Sequence, residues 1–407
     1  MSETAAELAH WVEQAIVASD IQTGRAAIAK ITHSAALADV ARRAGLRAVA
    51  LFALDKIDDA AALAEIALAA RDVMVAKNAV KAIRDPVSLF EIARSDAPEI
   101  VRRVAVKRID DPDRLVLVAC GDCAAVCAAA LEQIDDPKRI ARVARESPIA
   151  EVRALAVPRV KDGLVLAAIA KDDADPDVRR AAFERLRSPR LIAELARAAT
   201  HSDTRALAVR GLRDADALGT AATTDPDARV RSTAVRQIED SDLLARLAEH
   251  DTDWHVRRDA VLRTKDRDLV ARRAVADPDW QVREAAVRRV RDQAALRKCA
   301  EWDKAWQVRR AAVERVGSQV VLNHRGRSDD AWQVRLAAVK RCDDPSVVAN
   351  RAQWDDTAEV RLGAIARLTD PALLREIARN AAEPGERARA EERLGDLERG
   401  SGVRPPP

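Results

Sequence analysis

The stretch "DPDWQVREAAVRRVRD", residues 277–292, recurs 26 residues later as "DKAWQVRRAAVERVGS" and after a further 26 as "DDAWQVRLAAVKRCDD". Within it, Val282, Ala286, Val287 and Val290 are spaced to share one face of a helix. A helix of about ten residues cannot bury such a stripe alone, so neighbouring copies must pack on one another. The repeat therefore predicts a stacked array instead of a closed globular domain.

The period extends through most of the chain. A residue that is usually aliphatic closes the first helix of each unit, and stepping by 26 in both directions from Val290 finds it repeatedly, with one step of 25. These closing positions are Ile31, Ile57, Ile83, Ile109, Ile134, Val160, Leu186, Leu212, Ile238, Thr264, Val290, Val316, Cys342 and Leu368. The sequence thus predicts about fourteen units between residues 20 and 380.

Each unit carries the signals of a second helix. Two residues past the closing position stands Asp or Ser in nearly every unit, and both residue types cap helix N-termini. Proline often follows, as in Pro86 and Pro137, at the first helical position where it is tolerated. An alanine ten residues past the closing position, such as Ala274, allows close helix packing. The predicted fold is all-α, an α-solenoid of two-helix units.

The units resemble a known family. "DPDWQVREAAVRRV" (277–290) and "DPDARVRSTAVRQI" (225–238) resemble HEAT-type repeats in their Asp, their Val-Arg pair and their Ala-rich first helix. The 26-residue unit is also similar to bacterial leucine-rich-repeat variants, whose second helix is shortened. The resemblance covers about nine-tenths of the chain and implies an α-solenoid of about fourteen 26-residue HEAT-like repeats. Such repeats serve as scaffolds, adaptors and, more rarely, enzymes, so the resemblance specifies the fold more than the activity.

Composition constrains the class of protein. The 407 residues are 48% hydrophobic, 33% charged and only 2% aromatic, which suits helices packed through small side chains. The N-terminus lacks the pattern of a signal peptide, and no apolar run approaches the roughly 18 residues of a membrane span. Five cysteines, an odd number, favour free thiols in a reducing compartment. We expect a soluble, cytoplasmic protein with no membrane partner.

The two ends depart from the period. Residues 1–20 are predicted to form an N-terminal capping helix, with residues 3–19 amphipathic around Trp11. The repeat array occupies residues 21–380. Residues 381–407 are predicted to form a short charged helix and a disordered Gly/Pro-rich tail.

Two basic columns recur in the first helices. The first follows the core valine, and the resemblance to HEAT repeats implies that its arginines pair with acidic side chains between units. It comprises Arg102, Arg153, Arg179, Arg205, Arg231, Arg257, Arg283, Arg309, Arg335 and Arg361. An inter-repeat ladder of charge-assisted hydrogen bonds is the favoured interpretation, and a row of anion donors is the alternative. The second column precedes the closing position, as Arg289 and Arg315 do, and is predicted to face solvent.

Tryptophan and positive charge concentrate in one section. Residues 254–351 contain 23 Lys+Arg and 14 Asp+Glu, a net of 23 − 14 = +9, whereas the remainder has 46 and 52, a net of −6. Six of the seven tryptophans lie in residues 254–354. The sequence allows two roles: indoles that cover neighbouring helix ends, or an aromatic strip that binds a partner. The candidate partner-binding residues are Trp254, Trp280, Trp306, Trp332, Trp302, Trp354, Arg257, Arg283, Arg309 and Arg335.

Evidence for catalysis or a metal is sparse. Cys120, Cys123 and Cys127, in "CGDCAAVC", are spaced so that a metal or iron–sulfur cluster is conceivable, but small residues filling alanine-like sites are favoured. The histidines are scattered, and the column position of the aspartates identifies them as helix caps. No cofactor is expected.

These observations favour a non-enzymatic scaffold or adaptor that binds a macromolecule along one face of the solenoid. A protein is the preferred partner, because a solenoid presents a long repetitive surface. The alternative is a nucleic-acid-binding protein that uses the same tryptophans and arginines. A HEAT-like enzyme, such as a DNA glycosylase or a bilin lyase, is the third hypothesis, and no local motif matches either enzyme group.

Overall fold

The structure, a computed structural model, describes residues 5–400, and all its regular elements in that range are helical: thirty α-helices and a 3-10 turn at Val157–Arg159. The helices are α1 (Ala5–Ile16), α2 (Ile21–Ile28), α3 (Ser34–Arg43), α4 (Arg47–Leu54), α5 (Ala60–Ala69), α6 (Val73–Ala82), α7 (Pro86–Arg94), α8 (Glu99–Val106), α9 (Pro112–Ala119), α10 (Ala124–Glu132), α11 (Pro137–Glu146), α12 (Ala150–Ala156), α13 (Gly163–Asp172), α14 (Pro176–Arg185), α15 (Pro189–Ala198), α16 (Ser202–Gly211), α17 (Ala215–Thr224), α18 (Ala228–Val235), α19 (Ser241–His250), α20 (Trp254–Arg263), α21 (Arg267–Ala276), α22 (Trp280–Val287), α23 (Gln293–Trp302), α24 (Trp306–Val313), α25 (Gln319–Ser328), α26 (Trp332–Val339), α27 (Pro345–Trp354), α28 (Ala358–Ile365), α29 (Pro371–Asn380) and α30 (Pro384–Gly400).

Between α1 and α30 the helices form fourteen pairs, from α2/α3 to α28/α29, so the predicted all-α repeat architecture is confirmed. Along most of the array, each first helix packs on the second helix of the preceding pair, as α22 does on α21, and on the first helix of the next pair, as α22 does on α24. Second helices also pack in sequence, as α21 does on α23. The helices cluster into two compact units, which divide in the chain between Ala208 and Val209, and each unit is an α-solenoid of stacked helical pairs.

The second helices begin where the Asp column predicts, because the carboxylates satisfy amides of the first helical turn. Asp59 accepts a hydrogen bond from the Ala62 amide at 2.9 Å, and Asp240 accepts one from Leu243 at 3.1 Å. The capping role is confirmed for Asp59, Asp85, Asp111, Asp136, Asp162, Ser188, Asp214, Asp240, Asp266, Asp292, Asp344 and Asp370.

The core is the predicted aliphatic stripe. Val282, Ala286 and Val287 are fully buried, and the alanine column of the second helices is buried from Ala41 to Ala352. Gly326 takes the place of one such alanine. A Cβ there would lie 3.1 Å from a methyl carbon of Val347, so the close approach of α27 favours the smaller residue.

The terminal helices α1 and α30 cover the two ends of the described chain. The helix α1 lies within the predicted 3–19 segment and packs on α2 and α3, and α30 packs on α28 and α29. The tail predicted to be disordered begins at residue 401, outside the described residues. Among the helices of residues 5–400, none combines the length and apolarity that a membrane crossing requires.

Candidate partner-binding edge

Six tryptophans lie along one edge of the second compact unit, where each second helix turns into the next first helix. We call this the tryptophan edge, residues 251–357. Four indoles open the first helices, as the sequence predicted: Trp254, Trp280, Trp306 and Trp332. The other two, Trp302 and Trp354, end the second helices α23 and α27.

The two sets of indoles differ in exposure. Trp302 is 76% exposed and Trp354 is 73% exposed, whereas Trp280 is 36% exposed. Trp254, Trp306 and Trp332 are half-buried. The two tryptophans that end second helices are thus the ones that present most of their surface to solvent.

The turns of this edge share one construction. Each begins with an aspartate whose side chain is almost wholly buried, and that carboxylate accepts a hydrogen bond from the amide two residues later. In the turn 277–279, Asp277 accepts from the Asp279 amide at 2.9 Å. The first aspartates of successive turns are Asp251, Asp277, Asp303, Asp329 and Asp355.

A buried arginine joins each turn to the next one. Arg283 donates from Nη1 to the Asp277 and Pro278 carbonyls at 2.8 and 3.2 Å, and from Nε and Nη2 to both Asp303 oxygens at 2.6 and 2.9 Å. The predicted inter-repeat ladder is therefore confirmed. Its other rungs along this edge are Arg231–Asp251, Arg257–Asp277, Arg309–Asp329, Arg335–Asp355 and Arg361–Glu386.

The ladder sets the charge states of its members. Burial acts to raise the pKa of Asp329, but hydrogen bonds from the Arg309 guanidinium and the Ala331 amide outweigh burial and hold that pKa below its ordinary 3.8. The hydrogen bond to Asp329 in turn raises the pKa of Arg309. Partner binding by Arg257, Arg283, Arg309 and Arg335 stays a prediction. In this geometry their contribution would be indirect, because the guanidinium groups hold the turns.

At the opposite edge, the arginines of the second basic column are exposed or half-exposed, in line with the prediction that they face solvent. Each of them also reaches back to carbonyls at the end of the preceding first helix. Arg315 donates to the Val290 carbonyl at 2.8 Å, and Arg289 donates to the Thr264 carbonyl at 2.9 Å. The long side chain lets an exposed guanidinium satisfy helix-end carbonyls of another unit.

Within the tryptophan edge, Trp254 has both a histidine and an arginine of its own helix packed against its ring. The His255 imidazole stacks on it with ring centroids 3.6 Å apart, and the Arg258 guanidinium lies 5.2 Å from the ring centroid. Arg258 is also 3.1 Å from Asp259. This first indole is thus occupied by contacts within its own helix.

Each exposed indole lines a groove between consecutive second helices. The Trp302 groove, about 420 Å³, has apolar walls from Val275 and Pro278, and two exposed lysines, Lys298 and Lys304, lie beside the indole. No ion pair joins either lysine to a carboxylate within residues 5–400.

The Trp354 groove has the opposite charge. Its volume is about 500 Å³, and its lining includes Ile377, the Arg361–Glu386 pair, and the exposed carboxylates Glu376 and Glu383. Neither exposed carboxylate pairs with a cation in the described part of the chain. Lys298, Lys304, Glu376 and Glu383 could not be identified from the sequence, because none of them belongs to a periodic column.

The cysteine motif at residues 120–127 has ordinary packing contacts. Cys127 is buried and its thiol donates to the Val118 carbonyl at 3.2 Å, the same nine-residue offset at which Arg102 Nε donates to the Ala93 carbonyl. Burial raises the pKa of Cys120 and Cys127. No group of three or more His, Cys, Asp or Glu residues in the described range is arranged to hold a metal ion.

Comparison with known proteins returns similarity to solved structures only. No family model matches the sequence, and no curated protein matches it. A structure of Kap95p with RanGDP shares 14% identity at a TM-score of 0.29, over 98% of this chain and 61% of that one. The UNC-45 chaperone, which binds and folds muscle myosin, shares 13% identity at a TM-score of 0.23, over 96% and 56%. Kap121p bound to RanGTP shares 12% identity at a TM-score of 0.27, over 98% and 54%. The chain thus spans a little over half the length of these proteins.

Proposed function

We propose that this protein is a non-enzymatic scaffold that binds another protein along the tryptophan edge. One observation supports this most: Trp302 and Trp354 hold equivalent positions two repeats apart and are each about three-quarters exposed. Exposure of an indole to water is unfavourable, and aromatic side chains of this kind contribute much of the binding energy in protein interfaces.

The part of the arginines in this proposal is to position the edge. Arg283 and Arg309 fix consecutive turns through buried carboxylates, so the grooves beside the indoles are preformed. A rigid site loses less conformational entropy when its partner binds. All five thiols are free, which is consistent with the reducing, cytoplasmic setting that we propose for it.

Nucleic acid remains the second candidate, because residues 254–351 carry the net charge of +9. Much of that charge is committed within the fold, however. Four arginines of the section, Arg257, Arg283, Arg309 and Arg335, are in the ladder, and Arg263, Arg289, Arg315 and Arg341 donate to carbonyls. A protein partner is therefore preferred. A catalytic role is disfavoured because the abundant aspartates serve as caps and ladder partners.

The test is affinity capture of binding proteins from extract, with and without nuclease treatment, using three forms of the full chain. These are the unaltered protein, the double variant Trp302→Ala/Trp354→Ala, and a control, Val320→Ala, which removes a 78% exposed apolar side chain near the N-terminus of α25. We expect one set of proteins to be retained by the unaltered chain and the control but lost with the double variant. Equal capture by all three forms would contradict the proposal, and capture abolished by nuclease would favour nucleic acid.

A further inference from the structure

The grooves beside Trp302 and Trp354 have equivalent ladder residues but carry opposite charges. The indoles lie on opposite walls, since Trp302 belongs to the later of its two second helices and Trp354 to the earlier. In each groove, a ladder pair neutralises itself: Arg283 with Asp303 at the first groove, and Arg361 with Glu386 at the second. Asp277 and Asp355, which also line the grooves, are paired with Arg257 and Arg335. The charges left over are Lys298 and Lys304 at the first groove and Glu376 and Glu383 at the second. The indoles therefore hold equivalent positions in their own repeats but lie in environments of net charge about +2 and −2, respectively.

We infer that the partner of the tryptophan edge is an extended peptide segment of segregated charge, with acidic residues that occupy the Trp302 groove and basic residues that occupy the Trp354 groove. This inference rests on the proposed function and specifies its ligand. Charge complementarity supports this inference. In the stated orientation, each part of the segment has the opposite charge to the groove that it occupies, whereas a reversed segment would place like charges together in both grooves.

The spacing defines the segment's length. The Trp302 groove lies between α21 and α23 and the Trp354 groove lies between α27 and α29, so the grooves are three repeats apart. Because consecutive second helices lie about 10 Å from each other, the grooves are separated by about 30 Å. An extended chain advances about 3.3 Å per residue, which places the centres of the acidic and basic groups about nine residues apart. A uniformly anionic strand of nucleic acid would meet favourable charge at the first groove and repulsion at the second.

The experiment uses the full chain and four labelled synthetic peptides of equal length, each with apolar residues between the charges. One has four acidic residues followed by four basic residues, one has the same eight charges alternating, one is all acidic and one is all basic. Binding is measured by fluorescence anisotropy at low salt. Four exposed charge pairs, each contributing a factor of about two, should make the segregated peptide bind about tenfold more tightly than the alternating one. This preference should disappear at about 1 M salt.

Charge-reversal variants identify the grooves responsible. Lys298→Glu/Lys304→Glu makes both grooves acidic, so the preference for the segregated peptide should vanish and the all-basic peptide should bind more tightly. Adding Glu376→Lys/Glu383→Lys to that variant restores one groove of each charge, and the preference should return. Damage to the fold would not be rescued in this way.

The outcomes separate the two proposals. Equal binding of the segregated and alternating peptides, both weakened by Trp302→Ala, would overturn the charge inference and retain the tryptophan edge as a binding site. Failure of the segregated peptide to bind at low salt would also overturn the charge inference. Binding of the peptides that is unchanged by Trp302→Ala/Trp354→Ala would contradict the edge itself, and with it the proposed function.

Discussion

Two turns of the second compact unit have the same sequence, Asp-Pro-Asp, at residues 225–227 and 277–279, but lead into different helices. The first leads into α18, which begins with Ala228, and the second into α22, which begins with Trp280. In both, the last aspartate caps the helix with a hydrogen bond of 2.8 Å from the amide two residues later. The turn therefore forms equally well with alanine or tryptophan at the first helical position.

The arginines of the two turns are equally alike. Arg231 donates to the Asp225 carbonyl at 2.9 Å and Arg283 to the Asp277 carbonyl at 2.8 Å. Their carboxylate partners, Asp251 and Asp303, have side chains that are each 6% exposed. The ladder therefore forms the edge in both places, and the tryptophans are additions that the turns do not need. An addition that the fold does not require is expected to serve binding.

The largest effect should come from breaking the ladder. Arg283→Ala leaves the Asp303 carboxylate buried without its partner, which typically costs about 3–5 kcal/mol. Arg231→Ala does the same to Asp251 at the turn without tryptophan. We expect equal losses in the two variants, measured by native-state hydrogen exchange at the turn amides, since repeat arrays need not unfold in two states. A much larger loss for Arg283→Ala would mean that the neighbouring tryptophan is part of the turn's support.

The second largest effect on stability should come from acid, which weakens the ladder. The folded-state pKa values of Asp329 and Asp355 lie below the ordinary 3.8, since bonds from Arg309 and Arg335 outweigh the burial that raises them. Groups with a lowered folded pKa contribute stability that is present above the unfolded pKa and is lost as pH falls through the folded pKa. We therefore expect stability to decline below about pH 3.8.

That decline can be followed by tryptophan fluorescence and far-UV circular dichroism together. Because turns with and without tryptophan share the ladder, the two signals should change over the same pH range. Fluorescence that changes at a distinctly higher pH than the helical signal would show that the tryptophan edge responds to a different titration.

Substituting Trp280, which follows the second of the two matched turns, has a smaller predicted effect on stability. Trp280→Ala removes an indole that is 36% exposed, so its buried part should contribute about 1–2 kcal/mol to the free energy of unfolding. The Asp279 cap and the Arg283 rung should persist, because the Ala228 turn has both. Native-state hydrogen exchange at the same turn amides measures the loss, and a cost near that of Arg283→Ala would contradict the comparison.

The smallest effect on stability is expected for the most exposed indoles. Trp302→Ala and Trp354→Ala should each change the free energy of unfolding by no more than about 0.5 kcal/mol, as surface substitutions usually do. The same variants should lose partner binding, so stability and binding are predicted to separate at these two positions. A stability loss as large as that of Trp280→Ala would assign them to packing.

The sequence allowed the fold and the ladder to be predicted because both are periodic. The valine stripe, the capping aspartates and the arginine column each recur with the 26-residue repeat, so their contacts recur with them. The carbonyl bonds of the second basic column were not predicted, because helical spacing gives the direction of a side chain from its helix but not how far the side chain reaches. Arg315 spans the gap between units to bond the Val290 carbonyl.

The exposure of the indoles could not be obtained from periodicity. Trp302 and Trp306 are separated by only three residues, but they lie on opposite sides of a turn, and the turn decides which one faces solvent. The grooves depend on Lys298, Lys304, Glu376 and Glu383, which recur in no column. A prediction of their charge requires knowing which second helices are adjacent in space.

The arginine ladder also makes the repeats interchangeable. Arg309 finds its carboxylate 20 residues further along the chain, in whichever unit follows, and it contacts no unit beyond that one. If residues 303–328 were excised, Arg283 would meet Asp329 in place of Asp303 with the spacing unchanged, and Trp302 and Trp354 would become neighbours. Deleting or inserting a whole 26-residue repeat would thus change the distance between two binding positions on the array by one repeat. Neither binding position would itself need to be redesigned.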